Sequence, residues 1–145
     1  MTAIHPLHGP LMRGGRMPRV ALLGQTGSGR KRIFQAASST SVQHAQLAGV
    51  GPSYEECQVE VGMDQITLIA LPDFHGLHPA NTDDAVLQRY LLWGDRWPAV
   101  ARHEAHQPTQ AFAAPDVLLL VLDATALARD LELALELMRL GRPMV

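Results

Sequence analysis

Several features that would place the chain outside the cytoplasm or within a bilayer are missing from its sequence. A single cysteine, Cys57, is present among 145 residues, so no disulfide can form within the chain and a reducing compartment is expected. The longest aliphatic run covers residues 117–122 and is far shorter than the roughly 20 residues of a membrane-spanning helix. The first 16 residues lack the apolar stretch of a secretory signal. We therefore expect a cytoplasmic domain with no membrane span of its own.

The chain also lacks an excess of charge of either sign. Its 12 Lys and Arg residues and 14 Asp and Glu residues leave a formal net charge of -2, which provides no general attraction to nucleic acid or to an anionic membrane. Any affinity for phosphate must therefore come from a local site. A hydrophobic content of 47% is enough to form one core.

Residues 1–17 differ in composition from the rest of the chain. They contain glycine and proline without apolar periodicity, so they are predicted to form a flexible arm. A single domain is predicted at 18–145. Met17 is an alternative start that would remove the arm and leave this domain intact.

Beyond the arm, buried strands alternate with amphipathic helices. The predicted strands are residues 20–23, 58–62, 65–71 and 117–122. The predicted helices are residues 30–38, 83–93 and 126–140. The second and third strands form a hairpin at Met63-Asp64, residues 143–145 resemble the opening of another strand, and residues 96–113 are expected to be a surface excursion. This order predicts a three-layer α/β fold, with a mostly parallel sheet that contains one antiparallel hairpin and is covered on both faces.

The helix predicted at 126–140 has the clearest amphipathic pattern in the chain. Its core stripe is predicted to consist of Leu127, Leu131, Ala134, Leu135 and Met138. A second apolar stripe is formed by Leu133, Leu137 and Leu140. Two apolar stripes are more than one buried face requires.

A glycine-rich turn follows the first strand and opens the first helix, within the sequence RVALLGQTGSGRKRIF. Gly24 and Gly29 have the spacing of the phosphate-binding pattern G-x-x-x-x-G-K-[ST]. The backbone N–H groups of such a turn and the positive end of the helix cradle phosphate. The candidate nucleotide-binding residues are Gly24, Gln25, Thr26, Gly27, Ser28, Gly29, Arg30 and Lys31.

The end of this motif departs from the pattern. Arg30 stands at the position of the Lys, and Lys31 stands where a Ser or Thr hydroxyl would hold magnesium. Two interpretations remain open: the turn keeps an affinity for phosphate or nucleotide, or it has kept its shape and lost its ligand. Arg30, Lys31 and Arg32 place three cations on the first helical turn, where the helix dipole disfavours them unless an anion is bound.

Four segments, in order, resemble the N-terminal G domain of FeoB, the bacterial ferrous-iron transporter family, over residues 18–145. The first is VALLGQTGSGRKRIF, which is similar to the family's first strand, P-loop and helix. The second is Val50-Gly51 followed by residues 59–62, which is similar to the switch region. The third is ITLIALP, which is similar to the strand that ends in DLPG. The fourth and most specific, PDVLLLVLDATALARDLELALELMRLGRPMV, resembles the family's fourth strand, D-A-[ST]-x-L turn, third helix and L-G-x-P-x-V entry into a fifth strand.

The departures from the family fall on its chemistry. Lys31 cannot ligate the magnesium held by the family's P-loop Thr, and the switch-one Thr aligns near Cys57. Ala70 and Asp73 replace the Asp and the Gly of DLPG. Gly27 aligns with the Asn that helps to bind potassium in some members, and the guanine-reading N-K-x-D motif would follow the last residue.

The resemblance implies a small GTPase-like P-loop NTPase fold, here C-terminally incomplete, and a parent function of guanine-nucleotide binding coupled to ferrous iron transport at the cytoplasmic face of a membrane. With these departures we expect weak, magnesium-independent binding of GTP, GDP or phosphate, no bound metal, no catalytic residues and impaired hydrolysis of GTP. The expected partners are the nucleotide and a membrane subunit of an iron transporter, not nucleic acid. The alternatives are a pseudo-GTPase that serves as an interaction module and a gene fragment without a function.

The remaining candidate sites carry weaker signals. His103 and His106 have i, i+3 spacing instead of the i, i+4 spacing of a zinc helix, which favours a surface loop. His75 and His78 lie near Asp73 and could bind a metal, although a plain loop is favoured. Cys57 is interpreted as a small residue on a strand edge.

Overall fold

A computed structural model describes residues 17–38, 42–46, 53–76, 82–93 and 114–145. The strands in these ranges are β1 (Arg19–Leu23), β2 (Gln43–Gln46), β3 (Ser53–Val61), β4 (Asp64–Ala70) and β5 (Val117–Leu120). The helices are α1 (Arg30–Ala37), α2 (Thr82–Trp93) and α3 (Leu127–Met138), and a 3₁₀ turn (Ala124–Ala126) precedes α3. Residues 1–16 of the predicted arm and the predicted surface excursion, with His78, His103 and His106, lie outside the described residues.

The strands form one mixed sheet in the order β2-β3-β4-β1-β5. β1 lies between β4 and β5 and runs parallel to both, with Val20 opposite Leu68 on one side and Val117 on the other. β3 and β4 form the predicted antiparallel hairpin, which turns at Gly62-Met63. The predicted alternation of strands and helices is confirmed.

β2 adds a second antiparallel pair that the sequence did not predict. It pairs with β3, with His44 opposite Glu55. Its sequence, QHAQ, has no alternation of apolar and polar residues. From its sequence alone, this segment is therefore indistinguishable from a loop. The ladder with β3 supplies the backbone hydrogen bonds that make this segment a strand.

Each face of the sheet has its own hydrophobic cluster, because alternate residues of a strand point to opposite faces. On one face, Phe34 of α1 packs with Leu22, Cys57 and Leu68. On the other face, residues of α2 and α3 pack against Ala21, Leu23 and their neighbours, and the α2 and α3 members are Leu87, Tyr90, Leu91, Leu133 and Leu137. The molecule therefore has three layers, with α1 on one side of the sheet and α2 and α3 on the other.

The predicted core stripe of α3 is wrong. Leu127, Leu131, Leu135 and Met138 are exposed, and Leu135 is 62% exposed. The second stripe is the buried one instead, with Leu133 and Leu137 only 3% and 0% exposed. Both stripes satisfy helical spacing, so periodicity alone does not choose between them.

A carboxylate at the start of α3 sets the rotation of the helix. Asp130 is 1% exposed, and its Oδ2 accepts a hydrogen bond of 2.6 Å from the Asp123 N–H, while its Oδ1 pairs with Arg129 Nε at 3.1 Å. Asp123 in turn accepts hydrogen bonds from the N–H and hydroxyl of Thr125, which lower the pKa of its carboxyl group. Since Asp130 lies three residues before Leu133, holding it against this turn directs Leu133 and Leu137 to the core.

The last residues extend the sheet, as the sequence predicted. Met144 forms a parallel bridge with Leu118, and the Val145 N–H donates to the Leu118 carbonyl at 2.9 Å. Arg142 joins this end to α2, because its Nε donates to the Leu91 carbonyl at 2.7 Å. In the part of the chain that the structure describes, no helix combines the length and the apolar character needed to cross a membrane.

Candidate functional site

The glycine-rich turn links β1 to α1 and forms the rim of the candidate site. Gly27 and Gly29 have φ values of 82° and 91°, which side-chain-bearing residues rarely adopt. The turn is closed by a hydrogen bond from the Ser28 N–H to the Gln25 carbonyl at 3.1 Å. This geometry places the loop at the amino end of α1, where unpaired N–H groups favour an anion.

The side chains of Ser28 and Arg30 pack closely over Gly24. A Cβ atom at Gly24 would lie 2.5 Å from Ser28 Oγ and 3.1 Å from Cγ and Cδ of Arg30. The stem of the Arg30 side chain therefore crosses the start of the loop. A larger residue at Gly24 would force the side chains of Ser28 and Arg30 to move, although the φ of Gly24 lies outside the left-handed region.

The Arg30 guanidinium reaches the end of β4 instead of solvent. Its Nη1 donates to the Leu71 carbonyl at 2.5 Å, and its Nη2 forms an ion pair with Asp73 Oδ1. The Thr26 hydroxyl donates to Asp73 Oδ2 at 2.6 Å. The Asp73 carboxylate is thus held between the loop and the first residue of α1.

This ion pair is partly buried. The Arg30 side chain is 11% exposed and that of Asp73 is 41% exposed. Burial lowers the pKa of the Arg30 guanidinium and the carboxylate of Asp73 opposes the shift. The guanidinium stays charged at neutral pH, because its ordinary pKa lies far above 7.

Two cavities meet at Arg30, Lys31 and Asp73. The first, of about 590 Å³, is lined by the loop and the start of α1. The second, of about 450 Å³, lies between α1 and the ends of β3 and β4, where Tyr54 and Glu55 contribute to its walls. Of the sequence-predicted site residues, those from Gln25 to Lys31 therefore line one opening, and Gly24 does not.

The residues at this opening do not fit a magnesium ion. Magnesium is held by oxygen ligands, but Lys31 is an exposed cation at one expected ligand position and Ala70 carries no oxygen on its side chain at another. Asp73 supplies a carboxylate, which is already bound by Arg30 and Thr26. Within the described ranges, no group of three His, Cys, Asp or Glu residues could hold a metal ion.

Cys57 lies in β3 opposite Leu68 of β4, directly after Glu56, the last β3 residue that pairs with β2. Its thiol is buried, 3.3 Å from Ser38 Oγ. Asp73 was interpreted as the loss of a glycine, whereas the structure makes it the ionic partner of Arg30. The sequence carries one signal for this pair: Arg30 and Asp73 both stand at positions where the family's motifs have another residue.

Known proteins resemble this chain in both sequence and fold. Residues 18–145 match the family model of ferrous iron transport protein B. The Fe(2+) transport protein A/Fe(2+) transporter FeoB fusion protein of Porphyromonas gingivalis is 29% identical over 131 residues, covering 90% of this chain and 13% of that protein. The Fe(2+) transporter FeoB of Methanocaldococcus jannaschii is 27% identical, covering 84% of this chain and 15% of that protein. The chain thus spans a small part of the length of these relatives.

Solved structures of the same family superpose on the chain. The G domain of the T. maritima FeoB iron transporter is 26% identical, with a TM-score of 0.69 over 89% of this chain and 69% of that chain. The cytosolic domain of the same transporter in a GDP form is 26% identical, with a TM-score of 0.70 over 94% of this chain and 44% of that chain. From the matched residues 18–145 and these superpositions, the chain belongs to the family of the N-terminal G domain of ferrous iron transport protein B.

Proposed function

We propose that the chain binds guanine nucleotide or phosphate through the loop from Gly24 to Lys31, weakly and without magnesium. The observation that carries the proposal is the shape of this loop: two left-handed glycines, Gly27 and Gly29, turn the backbone into the amino end of α1. A T. maritima relative with this fold is described in a GDP form. The site residues proposed for this chain are Gly24, Gln25, Thr26, Gly27, Ser28, Gly29, Arg30 and Lys31.

The charges at the start of α1 support an anionic ligand. Arg30, Lys31 and Arg32 occupy the first turn, which contains no acidic residue. Cations at the amino end of a helix are destabilised by the helix dipole by about 0.3–1 kcal/mol each. A phosphate group bound there would turn this repulsion into attraction, since Lys31 and Arg32 line the cavity at the amino end of α1.

We expect magnesium to have little effect on nucleotide affinity. The chain lacks the hydroxyl and the carboxylate that would hold the ion, because Lys31 and Ala70 stand at those positions. Magnesium therefore adds no contact between the nucleotide and the protein. Titration of a fluorescent guanine nucleotide with magnesium, and again with a chelator, should give dissociation constants within about twofold of each other, a difference below 1 kcal/mol. Tight binding that requires magnesium would contradict the proposed alignment of the loop.

A matched pair of variants locates the binding site in the same assay. Arg30→Ala should weaken binding at least about tenfold, because it removes the cation that neutralises Asp73 and leaves an uncompensated carboxylate beside the bound phosphate. Arg139→Ala removes the same charge from the exposed end of α3 and should leave the affinity unchanged. Equal effects of the two variants would indicate nonspecific attraction.

We also propose that the chain does not hydrolyse GTP. Hydrolysis by this class of fold needs a positioned water, a metal ion and charge compensation at the terminal phosphate. Lys31 and Ala70 remove the metal ligands, and Asp73 adds a negative charge where compensation is needed. Phosphate release by the purified chain should equal that of a blank without protein. A rate above the blank that disappears in Arg30→Ala would contradict this prediction.

The longer relatives of this chain are named as Fe(2+) transporters. We propose that this chain acts at the cytoplasmic face of a membrane, as part or partner of such a transporter.

The second candidate function is a pseudo-GTPase interaction module, which is favoured by the exposed apolar stripe of α3, from Leu127 to Met138. Absence of nucleotide and phosphate binding in the titration would favour this second candidate.

A further inference from the structure

The contacts of Asp73 lead beyond the question of whether the loop binds phosphate. We propose that Asp73 limits the number of phosphate groups that the loop accepts, so that the chain takes a nucleoside diphosphate in preference to a triphosphate. The Asp73 carboxylate stands in for the outermost phosphate. This inference rests on the proposed function, because it assigns a specificity to the same site.

The position of Arg30 indicates where the carboxylate lies relative to a bound ligand. In P-loops, the residue at this position reaches the outer phosphates of the nucleotide. In this chain its guanidinium is directed to the Leu71 carbonyl and to Asp73 Oδ1. Carboxylate and phosphate are alternative partners of a guanidinium, because both match its planar fork of donors. A carboxylate of the chain therefore holds the group that would otherwise bind an outer phosphate.

Thr26 holds the same carboxylate from the side of the loop. Its hydroxyl donates to Asp73 Oδ2 at 2.6 Å, across 47 positions of sequence. The two oxygens of Asp73 are thus bound by two different residues of the loop region. Asp73 also lines the cavity at the mouth of the loop, so its charge faces the space that a ligand would enter.

The inner part of the loop is left open by these contacts. In the ion pairs and hydrogen bonds described for Asp73, its partners are the side chains of Thr26 and Arg30, not the backbone N–H groups of Gly27 and Gly29. The Ser28 N–H is used within the loop, where it donates to the Gln25 carbonyl. An inner phosphate can therefore be bound by the backbone while the ion pair is intact. A further phosphate would have to displace the carboxylate from Arg30 or lie beside it, and like charges held together are strongly disfavoured.

The exposure of Asp73 makes this preference sensitive to salt. The carboxylate is 41% exposed, so solvent and ions screen its repulsion with a phosphate group. We expect the preference to become smaller as the salt concentration rises.

Calorimetric titrations of the full chain with GDP and GTP, in buffer that contains a chelator, test this inference. The wild-type chain should bind GDP at least about tenfold more tightly than GTP. Asp73→Asn keeps the size of the side chain and removes its charge, and should reduce this ratio to about threefold or less by tightening GTP binding. Asp64→Asn, at the opposite end of β4, is the matched control and should keep the wild-type ratio.

Titration with inorganic pyrophosphate and with tripolyphosphate tests whether the preference depends on the number of phosphate groups alone, because neither probe carries a base. The same change of ratio with these two probes supports the inference, because the guanosine is then not needed. Asp73→Ser provides a second uncharged variant if Asp73→Asn unfolds, which far-ultraviolet circular dichroism would reveal.

The failures of the two proposals are distinguishable. A ratio that is equal in the wild type and in both Asp73 variants, with GDP still bound, overturns the inference and leaves the proposed function in place. Binding of GTP by the Asp73 variants alone supports the inference, because the carboxylate then blocks the loop. If no probe binds to the wild type or to either Asp73 variant, both proposals are overturned.

Discussion

Replacing Leu137 with alanine should lower the free energy of unfolding by about 2–5 kcal/mol, the usual cost of removing a buried leucine side chain. Leu137 is fully buried on the inner face of α3. There it packs in the cluster formed by β1, β4, β5 and α2. The loss combines the transfer of the removed atoms to water with the cavity that remains. Urea unfolding followed by circular dichroism would measure it.

Leu135→Ala is the matched control for this prediction. It makes the same chemical change two positions earlier on the same helix, at a side chain that lies largely in solvent. Leucine and alanine have similar helix propensities, so its effect should remain within about 0.5 kcal/mol. If the Leu135 variant were the more destabilised of the two, α3 would face the sheet with the stripe that contains Leu127, Leu131 and Leu135.

Replacing Asp130 with alanine should lower the free energy of unfolding by about 1.5–3 kcal/mol. Its buried carboxylate accepts the Asp123 N–H at 2.6 Å, and a hydrogen bond to a charged group contributes that amount. Without it, the Asp123 N–H loses its partner and the turn between β5 and α3 loosens. Thermal and urea unfolding of the variant would measure the change.

Glu132→Ala is the control for Asp130, since it removes an exposed carboxylate from the same helix. We expect it to change the free energy of unfolding by less than about 0.5 kcal/mol. In a double variant, Asp130→Ala with Leu137→Ala, the free energy of unfolding should fall by less than the sum of the two single changes, because both residues affect how α3 packs on the sheet. Strict additivity would show that Asp130 does not orient α3.

The loop and its flanking elements were predicted well because their signals are local. The apolar run of β1, the spacing of Gly24 and Gly29 and the start of α1 at Arg30 follow from neighbouring residues. Glycine is the favoured residue where the backbone takes a left-handed turn, and this preference can be recognised from the sequence. The hairpin of β3 and β4 was predicted from two neighbouring strand patterns, and its turn lies at Gly62-Met63, one residue before the predicted position.

Three features could not be predicted, and each depends on partners distant in sequence. β2 becomes a strand only by pairing with β3. Asp73 becomes part of the site only when the end of β4 is placed beside α1, 43 positions from Arg30 in sequence. The buried face of α3 depends on contacts with other elements and on the hydrogen bond of Asp130.

The sequence by itself determined the order of the elements, the glycine-rich turn between β1 and α1 and the family, because each is encoded in short runs of adjacent residues. Only the tertiary structure decided which side of α3 is buried and what the Arg30 guanidinium binds. Helical periodicity is satisfied equally by two leucine stripes, so packing against the sheet makes the choice. The charge of Arg30 allows any nearby anion, and the fold places the Asp73 carboxylate within its reach.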